Sequence, residues 1–297
     1  MFGKRAALLI VLAAIFVVGG AGSASAQLVG SVKDVIESAG SSGKVDWTTG
    51  VITAVGIGAP PAQPANAAQA RAMAERAAQV VAYRNLLEAV KGVRVDSTTT
   101  VENFMVSSDV IKTEVSGIIQ GATVMDKKYM SDGSVEVTVG MKLTGALAEA
   151  LMPKGMPAPA APGAPAAPAA PAAPAPGAAP VAPGQLYTGL IVDGRGLGVR
   201  PAMAPKIMNE EGKEIYGSAM VSRDYAVREG MAGYLKDPAA AQTNPRVTDK
   251  PLMVKAVKVS GDSRVDLVIT NADAAAIQNV AQNLSMLEKC RVIILVD

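Results

Sequence analysis

Eleven of the chain's 19 prolines fall in one alanine-rich tract, from Pro153 to Pro183. Proline locks φ and alanine brings almost no apolar bulk to bury. Such a tract cannot form a core and reads as an extended spacer of roughly 3.1 Å per residue, long enough to hold its flanks up to roughly 90 Å apart. The chain is therefore expected to fold as two small mixed α/β (α+β) domains, residues 45–152 and 186–297, joined by an Ala/Pro-rich linker over 153–185. Each flank has to be read by itself.

Ahead of the first flank, Lys4 and Arg5 precede an apolar run from Ala6 to Val18, then Gly19-Gly20 and the small-residue site Ala24-Ser25-Ala26. This is the pattern of a secretory signal peptide over residues 1–26, followed by an N-terminal segment over 27–44, with no transmembrane span after cleavage. A lipoprotein would need a cysteine at that junction, and Gln27 stands there instead. The single cysteine, Cys290, precedes an apolar strand and reads as a small buried residue. Removing Lys4 and Arg5 from 28 basic groups leaves 26 against 26 acidic ones, so the mature chain is neutral and nucleic-acid binding has no electrostatic support.

In the first flank, Val51 to Ile57 alternates as a strand with both faces partly covered. An alanine-rich helix is expected from Asn66, its N-cap, to Gly92, with Met73, Ala77, Val80, Val81, Leu87 and Val90 as the apolar stripe. Val93 to Glu102 reads as a strand and Ser108 to Ile119 as a helix capped by Ser107 or Ser108. Ala122–Met130 and Val135–Leu143 read as a hairpin turning at Asp132-Gly133. Val135, Val137, Val139, Met141 and Leu143 face the core, and Glu136, Thr138 and Lys142 face water.

In the second flank, strands are expected over 188–193, 252–260, 264–270 and 291–296, and helices over 223–236 and 272–287. Ser260 to Ser263 forms a hairpin turn. Residues 194–217, with Pro201 and Pro205, read as an irregular loop or hairpin. The last helix joins two apolar strands, for which a right-handed parallel crossover is the natural connection.

Several of these signals together resemble a known family: the strand ending Val55-Gly56-Ile57-Gly58, the helix beginning Ala70-Arg71-Ala72, the turn Val90-Lys91-Gly92-Val93, the Thr/Val-rich stretch and the hairpin Ser131-Asp132-Gly133-Ser134. Residues of about 45–145 are similar to the LPP20 lipoprotein family and its flagellar relatives, the flagellar assembly proteins P and T. That resemblance implies an envelope protein of Gram-negative bacteria that assembles with copies of itself or with other envelope components. It implies export, with a periplasmic or outer-membrane-associated location.

The chain has no histidine. The commonest general base, the Ser-His and Cys-His nucleophile pairs and the commonest metal ligand are thereby removed. No catalytic, cofactor-binding or metal residue is assigned, and no cofactor is expected. Gly194-Arg195-Gly196-Leu197-Gly198 follows a strand, but its spacing and the prolines after it read as a turn rather than a phosphate loop. Glu210-Glu211, and Asp262 with Asp266, are carboxylate pairs that read as solvated loop charge rather than as the acid/base pair of a hydrolase. Four residues stand out as contact candidates. Trp47 is either an exposed partner contact or an edge-of-core anchor with its indole N–H satisfied; Arg223, Tyr225 and Arg228 share a helix that would suit an interface or a glycan, though an apolar inner face with snorkelling basic residues explains the same pattern better. The leading reading is a non-catalytic structural or assembly component of an outer-membrane-associated or flagellar-type complex. A peptidoglycan- or polysaccharide-binding module is the alternative, and a carboxylate-dependent hydrolase the third.

Overall fold

The first sheet follows from the two-residue period of burial over Val51 to Gly58 and Val135 to Val139, which gives each strand two distinct faces. The computed structural model describes residues 34–152, 156, 186–278 and 281–297, with main chain alone for 281–284. The expected signal peptide, its cleavage site and the Ala/Pro tract lie outside the described residues.

Five antiparallel strands, β1 (Ile36–Ala39), β2 (Gly43–Asp46), β3 (Val51–Gly58), β4 (Thr123–Tyr129) and β5 (Val135–Lys142), lie in the order β1-β2-β3-β5-β4. The β4–β5 turn is the expected one, with Gly133 at φ +84°. Helix α1 (Ala67–Lys91) covers one face. Its N-cap is Asn66, whose side chain accepts from the Gln69 N–H at 2.8 Å.

The buried stripe of α1 differs from the expected one. It runs through Ala74, Ala78, Ala82, Leu86, Ala89 and Val90, whereas Met73 and Val80 are exposed and Val81 and Leu87 half-buried. The cause lies in the strand beneath. A Cβ on Gly56 would stand 2.2 Å from the Ala82 nitrogen, and one on Gly58 2.1 Å from the Ala74 carbonyl oxygen. Over Gly56 and Gly58 the helix backbone rests on bare strand backbone, so alanine alone fits at 74, 78 and 82, and Met73 and Val80 turn outward.

A second departure lies at residues 93–102, expected as a strand. Only an isolated bridge, Arg94 to Thr100, is present, and the chain enters α2 (Val101–Ser107) instead. The Asp96 carboxylate accepts from the Thr98 and Thr99 N–H groups at 2.7 and 2.8 Å, closing a turn where extended backbone was predicted. Helix α3 (Asp109–Gln120) follows, capped by Ser108, and α4 (Ala146–Leu151) closes this half.

The second sheet is mixed. Its strands are β6 (Gly189–Asp193), β7 (Ile207–Met208), β8 (Glu214–Tyr216), β9 (Gly233–Leu235), β10 (Pro251–Ser260), β11 (Asp266–Ile269) and β12 (Val292–Leu295), in the order β8-β7-β11-β10-β6-β12-β9. Helices α5 (Arg223–Glu229), α6 (Pro238–Gln242), α7 (Asn271–Gln278) and α8 (Ala281–Glu288) connect them. The expected helix over 223–236 stops at Gly230, φ +76°, and the chain then pairs as β9 parallel to β12. The expected parallel crossover from β11 to β12 is also corrected. β11 pairs antiparallel with β10, and β10 and β6 separate it from β12. The apolar runs of β11 and β12 signalled burial on both faces, which periodicity alone does not convert into direction.

The flanks of the tract touch. The Met203 and Ala204 N–H groups donate to the Arg94 and Val95 carbonyls at 3.1 and 2.7 Å, and the Gly145 N–H donates to the Val227 carbonyl at 2.7 Å. The described residues on both sides of the tract gather in one compact unit, held by direct contacts between the two halves.

Candidate functional site

Two places hold the residues that sequence singles out or that the fold leaves open. They are the junction between the halves and the uncovered face of the first sheet.

Trp47 sits at the junction, at the end of β2, and is 6% exposed. Its indole Nε1–H donates to Glu37 Oε2 at 2.8 Å, and its ring meets Tyr234 edge-on, 5.7 Å between centroids. It is the buried anchor of the two readings, not a surface contact. Glu37 also pairs with Arg94, whose Nε donates to the Pro201 carbonyl at 2.9 Å. Tyr234 is buried, accepts from the Ala202 N–H at 3.0 Å and donates to the Ala202 carbonyl at 2.8 Å. Burial raises its phenol pKa above the ordinary value. Tryptophan, tyrosine and one Arg–Glu pair thus fasten segment 201–204 to β1, β2 and the turn after α1. Sequence reasoning missed Glu37 and Arg94, since nothing in their neighbours signals a contact so distant along the chain.

Arg223 bridges the halves as well. It pairs with Glu149 of α4 and donates from Nη2 to the Glu149 carbonyl at 2.9 Å. Tyr225 is half-buried against the core, and the exposed Arg228 lies over its ring at 5.4 Å. The structure therefore splits the set: Trp47 and Arg223 serve the internal junction, Tyr225 packs half-buried against the core, and Arg228 reaches solvent.

Several of the remaining candidates are engaged within the fold. Gly196 and Gly198 donate to the two Asp297 carboxylate oxygens at 2.7 and 3.3 Å, and Arg195 forks onto Asp193 at 2.9 and 2.7 Å. Glu210 accepts from the Asn271 N–H and Asp266 from the Lys206 N–H, both at 3.0 Å. Cys290 is buried beside Tyr216, and burial pushes its thiol up to about 12. A thiol so far from ionising is a poor nucleophile. Among the described residues no group of three or more His, Cys, Asp and Glu could hold a metal ion.

The open face belongs to the first sheet. Residues opposite one another in an antiparallel pair share a face. Gly56 and Gly58 point at α1, so Thr53, Val55 and Ile57 of β3 point away, beside Gly140, Thr138 and Glu136 of β5. Ile57 is 58% exposed, and Met125, bulged out of β4, extends over Gly140. Ile36 continues the same face on β1 through its pairing with Asp46. Of twelve large hydrophobic residues exposed among the described residues, nine lie in residues 34–152 and three in 186–297. The alternation of β3 is visible in sequence, and the glycines at 56 and 58 were the signal that its larger residues belong on the far side.

Residues 47–142 match the model of the LPP20 lipoprotein family, and residues 189–297 match that of the second domain of Treponema pallidum Tp0624. The first match supports an exported, envelope-associated chain. No curated protein matches the chain. Among the described residues no helix is long and apolar enough to cross a membrane.

Proposed function

We propose that the chain is a non-catalytic envelope assembly protein. The open face of its first sheet docks onto another copy or another envelope component of an outer-membrane-associated or flagellar-type complex. The observation that carries the reading is that face: the exposed Ile57 and Met125 and the half-buried Val55 stand on it with Lys44, Asp46 and Lys142, while α1 covers the opposite face. Contiguous exposed apolar surface with a polar rim is the usual mark of a protein interaction site. The similarity to LPP20 lipoproteins supports the same setting. The second half supplies a rigid platform in this reading, since its aliphatic strands are buried and its polar groups hold main chain.

The test is light scattering of the chain beginning at Gln27, paired with crosslinking in cells and a pull-down on purified sacculi. Assembly predicts a species larger than the monomer, or a captured envelope protein, without retention on sacculi. A strict monomer with no crosslinked partner contradicts it, and retention on sacculi transfers the function to polysaccharide binding.

A further inference from the structure

The open face of the first sheet sorts its charges by end. Asp46 and Lys142 flank Val51 in the row at one end, with Lys44 one row in; Ile57, Glu136 and Lys128 share the row at the other end, with Asp126 one row in. Val51 and Ile57 stand about 20 Å apart along β3 at the rise of an extended strand. The Asp46 carboxylate folds back on its own turn, accepting from the Thr48 and Thr49 N–H groups at 2.9 and 3.2 Å and from the Thr49 hydroxyl at 2.6 Å. Lys44 and Lys142 are exposed and make no ion pair among the described residues, so this end presents its cations. At the other end the Lys128 ammonium pairs with Glu136 at 3.0 Å and with Asp126 at 3.8 Å, and two carboxylates against one ammonium leave that end negative.

We propose, resting on the reading of this face as the assembly surface, that its occupant is the same face of a second copy, turned end for end in a two-fold dimer. A partner here has to carry the opposite order of charge, and the face itself carries it once reversed. A two-fold axis lying between the two sheets and crossing the strands over the Ala54–Val139 pair exchanges residue 142 with 136 and residue 51 with 57. Lys142 of each copy then stands over Glu136 of the other, and Ile57 over Val51. Sheets packed face to face lie about 10 Å apart, a gap that a lysine and a glutamate reaching from opposite sides span. Stacking with the strands in the same direction would instead bring cationic end to cationic end. The face measures about 24 Å across its five strands and about 20 Å along them, so two copies together bury on the order of 1,000 Å². That is the low end of specific interfaces, and the dimer is a reversible one.

Charge reversal on the chain beginning at Gln27 tests it, read by sedimentation equilibrium and, for mixtures with one variant isotope-labelled, by native mass spectrometry. The parent is expected to form a dimer. Lys142→Glu and Glu136→Lys, each checked by circular dichroism, are expected to weaken self-association at least about tenfold, because both copies of an attractive contact become repulsive. An equimolar mixture of the two variants is expected to form the heterodimer within about threefold of the parent's affinity, since residue 142 of each then faces an opposite charge at 136 of the other. Lys142→Gln is expected to fall between the parent and Lys142→Glu; if Glu136→Lys does not fold, that order decides alone. A mixture that stays monomeric, or reversals that dimerise as the parent does, overturns the two-fold arrangement. If Ile57→Lys still dissolves the assembly in that case, the open face stands as a docking surface for some other geometry or partner. A strictly monomeric parent overturns the dimer whatever the variants do.

Discussion

In the first half, α1 lies on its sheet through alanines over glycines, and most of the large hydrophobic residues exposed among the described residues lie in that half, outside the seam. In the second half, β6, β11 and β12 carry Leu, Ile and Val that are buried on both faces, and few large apolar residues reach solvent. The two halves belong to the same α/β class but distribute apolar bulk in opposite ways. Close backbone approach saves side-chain volume inside and leaves isoleucine, valine and methionine for the surface, where they can meet a partner. A sheet buried on both sides uses that volume within. Exposed apolar bulk among the described residues is thus concentrated in the half whose helix–sheet seam is made of the smallest residues.

Truncating a fully buried aliphatic is expected to cost most, and equally in both halves. Ile294→Ala in β12 and Leu86→Ala in α1 should each lose about 2–5 kcal/mol, read from denaturant midpoints. Leu87→Ala should cost clearly less, because Leu87 is only half-buried. Equal losses at 86 and 87 would break the assignment of the alanine seam. Gly56→Ala sharpens the comparison from the other side. Its added Cβ meets main chain that cannot rotate away, and a loss of about 1–3 kcal/mol is expected where Gly50→Ala, with nothing within 4 Å, shows only the strain of its positive φ.

Alkaline pH should separate the halves next. Burial raises Cys290 from 9.0 to about 12, and it raises Tyr216 and Tyr234 above their ordinary 10.0. Below about pH 9 the thiol is protonated folded and unfolded, so its contribution is fully present. Between 9 and about 12 the unfolded thiol ionises and the folded one does not, so stability falls across that window, with the tyrosines adding the same sign above 10. All three groups lie in the second half. Urea midpoints measured from pH 8 to 11 should decline, and Cys290→Ala should flatten the first part of the decline. A flat profile in the parent chain would contradict the burial of these groups.

Much of this fold was legible in sequence because its signals are local. The Asn66 cap, the Ser108 cap, the Asp132-Gly133 turn and the alternation of β3 and β5 each involve residues a few positions apart. What failed was non-local. The stripe of α1 depends on glycines in β3, the fate of residues 93–102 depends on where Asp96 spends its carboxylate, and β9 exists because β12 lies alongside it. The direction of β12 relative to β11 depends on two strands lying between them. The junction was the least legible part. Trp47 was a candidate for the right reason, a polar-tipped aromatic at a strand end, but its partners Glu37 and Tyr234 lie 10 and 187 positions away. Arg223 was singled out for an external interface and serves an internal one.

The smallest expected effect on stability is the largest on function. Ile57→Lys on the open face should shift stability by no more than about 0.5 kcal/mol, as an exposed substitution, and so should Met253→Lys in the second half. Sedimentation velocity on the parent chain and these two variants is the most direct test of the central claim that the first sheet's open face is the assembly surface. The account predicts an oligomer for the parent and for Met253→Lys, and a folded monomer for Ile57→Lys. An oligomer that survives Ile57→Lys, or one that only Met253→Lys dissolves, would contradict it.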